Sequence, residues 1–219
     1  GLFRPPFSDK TFYTRWGFST HPPRGIAAID STSGTVRWST GHDQQDQQRL
    51  LNTPLGDPVP ANGLLYHLEW SSPNDVNQGR GRELNLVCLD PSQGRTRWRV
   101  PIASAGRESD LTASLERSLP AFAIYGNSVT VTGGAVYSSS NSGLVARSDI
   151  RDGRTDWIYH YDPVPPTDRT VLNHGSAPIL TDDKVVCMPR DARGIFALDQ
   201  KTGRLLWENT LVLGVQIVG

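Results

Sequence analysis

The chain has 219 residues with 22 basic and 22 acidic side chains, so its formal net charge is zero and no global field favours nucleic acid or an acidic membrane surface. A hydrophobic content of 37% with 21 glycines and 16 prolines suits many short strands joined by turns and argues against a helical bundle. No apolar run approaches the roughly eighteen residues of a membrane-crossing helix, and the opening Gly-Leu-Phe-Arg-Pro-Pro has neither Met nor a signal-like core, so it reads as part of a longer polypeptide.

Residues 11–19 read as a strand rich in aromatic and β-favouring side chains, and 25–30 with 35–40 form a strand, a turn and a strand. A polar stretch from Gly41 to Arg49 follows. A second unit begins near Pro58, with Asn62-Gly63 as a hairpin signal and strands at 64–70, 84–90 and 95–100; Ser71 to Arg82 is a polar insertion. Residues 101–118 form another long connection, and Ser109 to Arg117 has the N-cap and spaced leucines of a short surface helix. In a third unit, Phe122–Tyr125, Val129–Thr132 and Ala135–Tyr137 are strand candidates separated by Gly126-Asn127 and Gly133-Gly134, one strand more than the unit needs. A Pro-rich connection from Tyr159 leads to a fourth unit with strands at 177–181, 184–189, 194–199 and 204–209, and 211–218 reads as one further strand. The repeats thus run approximately 1–40, 55–100, 119–159 and 175–209 within one domain of residues 1–219.

One frame, Asp-x3-Gly-x3-Trp, recurs in all four units: Asp30/Gly34/Trp38, Asp90/Gly94/Trp98, Asp149/Gly153/Trp157 and Asp199/Gly203/Trp207. The tryptophans are 60, 59 and 50 residues apart, a spacing that signals propeller blades. Asp caps a tight turn through its carboxylate. Gly supplies a residue at positive φ, and Trp on the outgoing strand offers a flat ring for packing against the next unit. These twelve residues therefore read as structural. The fold class is all-β, a propeller of four-stranded antiparallel blades with about four blades present.

The run Phe-Ala-Leu-Asp-x-x-Thr-Gly-x-x-x-Trp at 196–207 resembles the tryptophan-docking repeat of the quinoprotein family, the pyrroloquinoline-quinone-like β-propellers. Ile-Ala-Ala-Ile-Asp30 and Leu-Val-Cys-Leu-Asp90 are similar to it, while Val-Ala-Arg-Ser-Asp149 departs most, with Arg147 where the family has Ala. The first repeat lacks a clear innermost strand, and 211–218 follows the last outer strand. That final strand either closes a four-bladed ring or belongs to a larger propeller of seven or eight blades, and the family's size favours the second.

The resemblance implies two alternatives for function. A pyrroloquinoline-quinone dehydrogenase implies adjacent cysteines beside the cofactor and a Ca²⁺ site of Glu, Asn and Asp. Cys88 and Cys187, read as buried free thiols, are far apart in sequence, and the Ca²⁺ ligands map onto no segment. The preferred alternative is a non-catalytic scaffold with no cofactor and a protein partner, extracytoplasmic as in the family. It would be similar to the lipoprotein scaffold of the outer-membrane β-barrel assembly machinery or to the sensor-like repeat domains of some bacterial kinases.

Within a blade the strands alternate in direction. The uniform Asp-x3-Gly turns therefore emerge on one face, and the long segments 41–54, 71–82, 101–118 and 160–174 on the other, where binding is expected. Trp70, Arg80, Arg82, His160 and His174 are the binding-face candidates. His67 and Glu69 alternate on one strand and offer two metal ligands without a third at credible spacing, so they read as ordinary strand residues. His160, Asp162 and His174 share one loop, and Arg80-Gly-Arg82 is a small basic element without a basic stripe around it. Trp16 and Trp70 lie outside the repeat frame. No metal site and no catalytic residue is expected.

Overall fold

The computed structural model describes residues 11–16, 25–40, 52–71, 82–105, 128–140, 143–164 and 176–210. Each frame folds as a hairpin, and each hairpin joins a separate antiparallel sheet. Strands β1 (Thr11–Trp16), β2 (Gly25–Asp30) and β3 (Val36–Ser39) form a three-stranded sheet. Strands β4 (Asn52–Ala61), β5 (Leu64–Ser71), β6 (Arg82–Leu89) and β7 (Thr96–Ala105) form a four-stranded one in chain order. A third sheet orders β8 (Ser128–Thr132), β9 (Ala135–Ser140), β10 (Leu144–Asp149) and β11 (Thr155–His160) in the same way. The fourth comprises β12 (Ile179–Leu180), β13 (Lys184–Cys187), β14 (Ile195–Asp199) and β15 (Leu205–Asn209).

Residues 1–124 and 125–219 are two compact units of two sheets each. In the first unit Ile26, Leu65, Val87 and Leu89 form a buried cluster with Tyr13 and Trp38 packed against it. In the second, Tyr137, Val145, Trp157, Val185, Cys187, Phe196 and Leu198 do the same, flanked by Tyr159, Tyr161 and Leu180. Middle strands are covered on both faces: every residue of β9 is buried, as are five consecutive positions of β5. The outermost β15 is largely exposed. This gradient is why the middle strands read as nearly continuous apolar runs.

Strand β4 is longer than the sequence suggests, because Pro54, Gly56, Pro58 and Pro60 break its pattern. It is an edge strand, where a missing N–H costs no ladder bond, and its pairing with β5 shifts between Leu55 and Val59, with Gly56 at φ +87°. Asn62-Gly63 makes the expected β4–β5 hairpin with both residues at positive φ, 48° and 77°. Gly133-Gly134 does the same between β8 and β9. The third sheet is complete from Ser128 to His160, so it needs no strand at 122–125. That segment, the 109–117 helix and the 211–218 strand lie outside the described residues. Among the described residues no helix is long and apolar enough to cross a membrane.

Candidate functional site

All four repeat turns have the same hydrogen-bond plan. The Asp N–H donates to the carbonyl five residues on at 2.8 Å, and the Gly N–H returns to the Asp carbonyl at 2.8–2.9 Å. Gly34, Gly94, Gly153 and Gly203 all adopt φ between +68° and +76°, a region that costs a Cβ-bearing residue. One carboxylate oxygen of each Asp closes the turn. Asp30 accepts from the Thr32 and Ser33 amides, Asp90 from that of Ser92, Asp149 from that of Arg151, and Asp199 from those of Lys201 and Thr202. The charged form is what these donors stabilise, so all four carboxyls are held below the usual range. The chief cause is Arg37 for Asp30, the Ser92 hydroxyl for Asp90, Arg151 for Asp149 and the Thr202 hydroxyl for Asp199.

Each hairpin also carries a β-bulge at the same place, where the outer strand has one extra residue: Arg37, Arg97, Asp156 or Leu206. Bulges re-aim side chains. Here Arg37 and Arg97 reach back to the free oxygens of Asp30 and Asp90, the latter at 3.0 Å, and each Trp comes directly opposite the residue two positions before the Asp: Ala28, Cys88, Arg147 or Ala197. That register sets up a rung across three strands. Tyr13, Ala28 and Trp38 are paired in turn, as are Tyr66, Cys88 and Trp98, and Tyr137, Arg147 and Trp157. The rings meet over the central residue at centroid distances of 5.9, 5.9 and 6.2 Å. Arg147 fits this slot by lying over the Tyr137 ring at 5.9 Å and pairing with Asp156. In the fourth sheet Val186 replaces the tyrosine.

Two indoles then dock on the following sheet. Trp38 Nε1 donates to the Pro91 carbonyl at 2.8 Å, with its ring 2.5 Å from where a Gly94 Cβ would stand. Trp157 Nε1 donates to the Gln200 carbonyl at 3.2 Å, its ring 2.6 Å from a Cβ on Gly203. Only glycine lets the ring lie this close.

The binding-face candidates are placed unevenly. Trp70, half-buried near the end of β5, and Arg82, the first residue of β6, lie at the sheet end opposite the Asp90 turn. His160 is exposed at the end of β11, opposite the Asp149 turn of its own sheet. It lines an open cleft of about 390 Å³ with Tyr159, Tyr161, Asp162, Arg193 and Glu208. Arg80 and His174, and nearly all of the long connections, lie outside the described residues.

His67 and Glu69 are more than ordinary strand residues. Both are buried, with His67 Nε2 3.5 Å from Glu69 and Arg99 Nε 2.6 Å from the other Glu69 oxygen. A cavity of about 20 Å³, room for one water, adjoins them together with Asn52 and Thr40. The spacing of His67 and Glu69 was visible in the sequence, whereas Arg99, two strands away, was not.

The second unit holds another polar cluster that sequence reading missed. Asp191, buried between sheets, accepts from the Tyr161 hydroxyl at 2.5 Å and the Gly143 amide at 3.1 Å, and the Val164 amide donates to its carbonyl at 2.7 Å. Burial raises its carboxyl to about 6 and pushes the Tyr161 phenol well up. The cluster ties the turn after β9 and the segment after β11 to the loop before β14. Its partners are 30 and 48 positions from Asp191, which left no local signal.

Cys88 and Cys187 are free, fully buried thiols. Burial pushes Cys88 up to about 11 and Cys187 higher. Neither supplies an adjacent cysteine pair, and no three His, Cys, Asp or Glu side chains converge among the described residues.

The model of a protein family described as "Outer membrane protein assembly factor BamB" matches residues 22–215. No curated protein matches. Among solved structures, BamB from Moraxella catarrhalis is 19% identical, with 91% of this chain and 50% of that one covered and a TM-score of 0.47. The computationally designed Ika8 protein is 13% identical over 88% of this chain and 44% of its own, at a TM-score of 0.49. Quinohemoprotein alcohol dehydrogenase ADHIIG from Pseudomonas putida HK5 is 16% identical over 92% and 33%, at a TM-score of 0.53, which shows a shared fold. The chain thus spans at most half the length of these structures. Its sheets are β-propeller blades built on the quinoprotein-like repeat, and the chain belongs to the family of the outer membrane protein assembly factor BamB.

Proposed function

We propose that the chain is a non-catalytic β-propeller scaffold of the cell envelope that holds a protein partner on the sheet ends opposite the Asp-x3-Gly turns. The observation that carries this reading is the family match along residues 22–215, whose description is that of an assembly factor. The local chemistry agrees with it. The four Asp carboxylates are engaged in turns and the thiols are buried, which is the chemistry of a frame. Trp70 and His160 stand at the opposite sheet ends, where side chains on a rigid frame are available for recognition, and Arg82 begins β6 at the same end of its sheet as Trp70. On this reading the protein uses neither quinone nor metal.

Photo-crosslinking residues placed at Trp70, Arg82 and His160 test it in envelope preparations. A partner protein should be captured there, and capture should be lost on deleting 72–81 and 106–118, which spares β6 and β7. Capture that survives both deletions would remove the loop face from the argument. Stoichiometric uptake of pyrroloquinoline quinone with Ca²⁺, together with dye-linked alcohol oxidation, would overturn the scaffold reading itself.

A further inference from the structure

The cleft beside His160 belongs wholly to the second unit and opens between its two sheets. On one side stands Tyr159 of β11, with Tyr161 two residues on. On the other are Phe196 of β14 and Glu208 of β15, direct partners in the strand pairing. Phe196 is buried at the base, and both tyrosine rings pack against it at centroid distances of 5.4 and 5.5 Å, tilted by 47° and 46°. Tyr161 is a fixed wall, because its hydroxyl donates to Asp191 at 2.5 Å and lies 2.8 Å from the Ser140 carbonyl. Walls already held in place lower the ordering cost of binding.

The charge at the mouth is unbalanced. Asp162 and Glu208 are exposed there, and among the described residues neither carboxylate has an ion-pair partner. Both act on one place: the Tyr159 phenol is raised by burial and then by the charges of Glu208 and Asp162. Arg193 is the opposing cation of the lining, also exposed, and the His160 imidazole completes the charged and titratable set. Two carboxylates against one guanidinium leave a place for a positive group. The rings add to this attraction, since a cation within about 6 Å of a ring centroid is drawn to its face. A quaternary ammonium would use the rings alone. A primary ammonium also has N–H donors for the carboxylates and an aliphatic stem to lay along the rings. The volume of about 390 Å³ is that of a small-ligand site.

We propose that this cleft receives a lysine side chain of the protein partner, its methylene stem on Tyr159 and Tyr161 and its ammonium between Asp162 and Glu208. The source of the lysine rests on the scaffold reading above, whereas the preference of the cleft for an ammonium does not.

The test titrates the 219-residue chain with Nα-acetyl-lysine N-methylamide, followed by NMR shifts of the tyrosine ring protons. About fourteen heavy atoms at ordinary ligand efficiency give a dissociation constant of about 1 mM. The norleucine analogue, which keeps the stem and lacks the charge, should bind about tenfold more weakly. E208Q and D162N alter exposed positions and spare the fold; each should weaken binding about threefold, and the two together about tenfold. R193A should tighten it about threefold by removing the competing cation. No shift up to about 10 mM, ten times that constant, would overturn the proposal. So would equal binding of the norleucine analogue, the mark of a merely apolar cleft, or loss of binding in R193A, the mark of an anion site. Capture of a partner at His160 without lysine binding would sink the lysine site and leave the scaffold reading standing. Lysine binding with no captured partner would support the ammonium site and remove the partner reading.

Discussion

Replacing Gly94 by Ala tests whether the indole dock stabilises the fold or merely occupies space. The new Cβ would stand 2.5, 2.7 and 3.0 Å from three carbons of the Trp38 ring, against about 3.5–4.0 Å for an unstrained carbon contact. The ring must withdraw by about 1 Å, which also stretches its 2.8 Å hydrogen bond to the Pro91 carbonyl. Overpacking of this kind costs about 1–3 kcal/mol. A further cost of about 1–2 kcal/mol comes from placing Ala at positive φ. Gly34→Ala isolates the two contributions, because Gly34 lies in the same unit at nearly the same φ but with nothing near its Cβ position. It should lose only the conformational part. Urea unfolding should therefore separate the two variants by about 2 kcal/mol, or about 1 M in midpoint for an m-value of about 2 kcal/mol/M. Equal losses within about 0.5 kcal/mol would refute a stabilising dock, since that is the ordinary scatter of surface substitutions.

Trp38→Phe keeps a ring on Gly94 but removes the N–H, and should cost about 1 kcal/mol in the same assay; Trp157→Phe, whose bond is longer at 3.2 Å, should cost less. Asp191 has a folded-state carboxyl raised to about 6, so its contribution is fully present below about pH 4 and is lost as pH rises through about 6. Wild type should lose up to about 3 kcal/mol relative to Asp191→Asn between pH 4 and 7, and parallel pH profiles would show that the carboxyl does not titrate there. The four repeat aspartates behave in the opposite sense. Their depressed values place their contribution above the ordinary carboxyl range, and acid removes it, so thermal scans from pH 5 downward should show stability falling as they protonate. Cys88 and Cys187 should resist maleimide at pH 8 until the chain opens, because both are buried and their thiols are raised; prompt labelling of either in the native protein would contradict the buried positions.

Most of the blade plan was legible because it is local. Asp199, Gly203 and Trp207 lie within nine residues of one another, and cap, turn and outgoing strand follow from that spacing alone. The extent of β4 was not, because Pro54 and Pro58 read as breaks until the strand is seen to be an edge. The rung from Tyr to Trp joins three strands, which no local spacing shows, although Tyr13, Tyr66 and Tyr137 each sit mid-strand with the alternation that would have flagged them. Asp191 and Arg99 owe their roles to partners far away in sequence, which no spacing rule reaches. The same limit applies to the expected binding face: strand alternation predicts that the long connections share one side, while recognition depends on side chains whose placement the strand pattern does not determine.

The indoles read their neighbours through main chain alone, a carbonyl oxygen and the bare face of a glycine. The residue that offers the carbonyl is proline in one turn and glutamine in another, and neither side chain is consulted. Blade-to-blade registration is thereby uncoupled from most of the turn's sequence. Under mutational drift, the position after each docking Asp, which offers only its carbonyl, can be rewritten while Asp, Gly and Trp stay fixed; Ser92, Arg151 and Thr202, whose side chains hold the Asp carboxylates, are less free. A deep mutational scan of this chain should accordingly show tolerance at Pro91 and Gln200, each flanked by an intolerant Asp and followed by an intolerant Gly, with intermediate tolerance at Ser92 and Thr202.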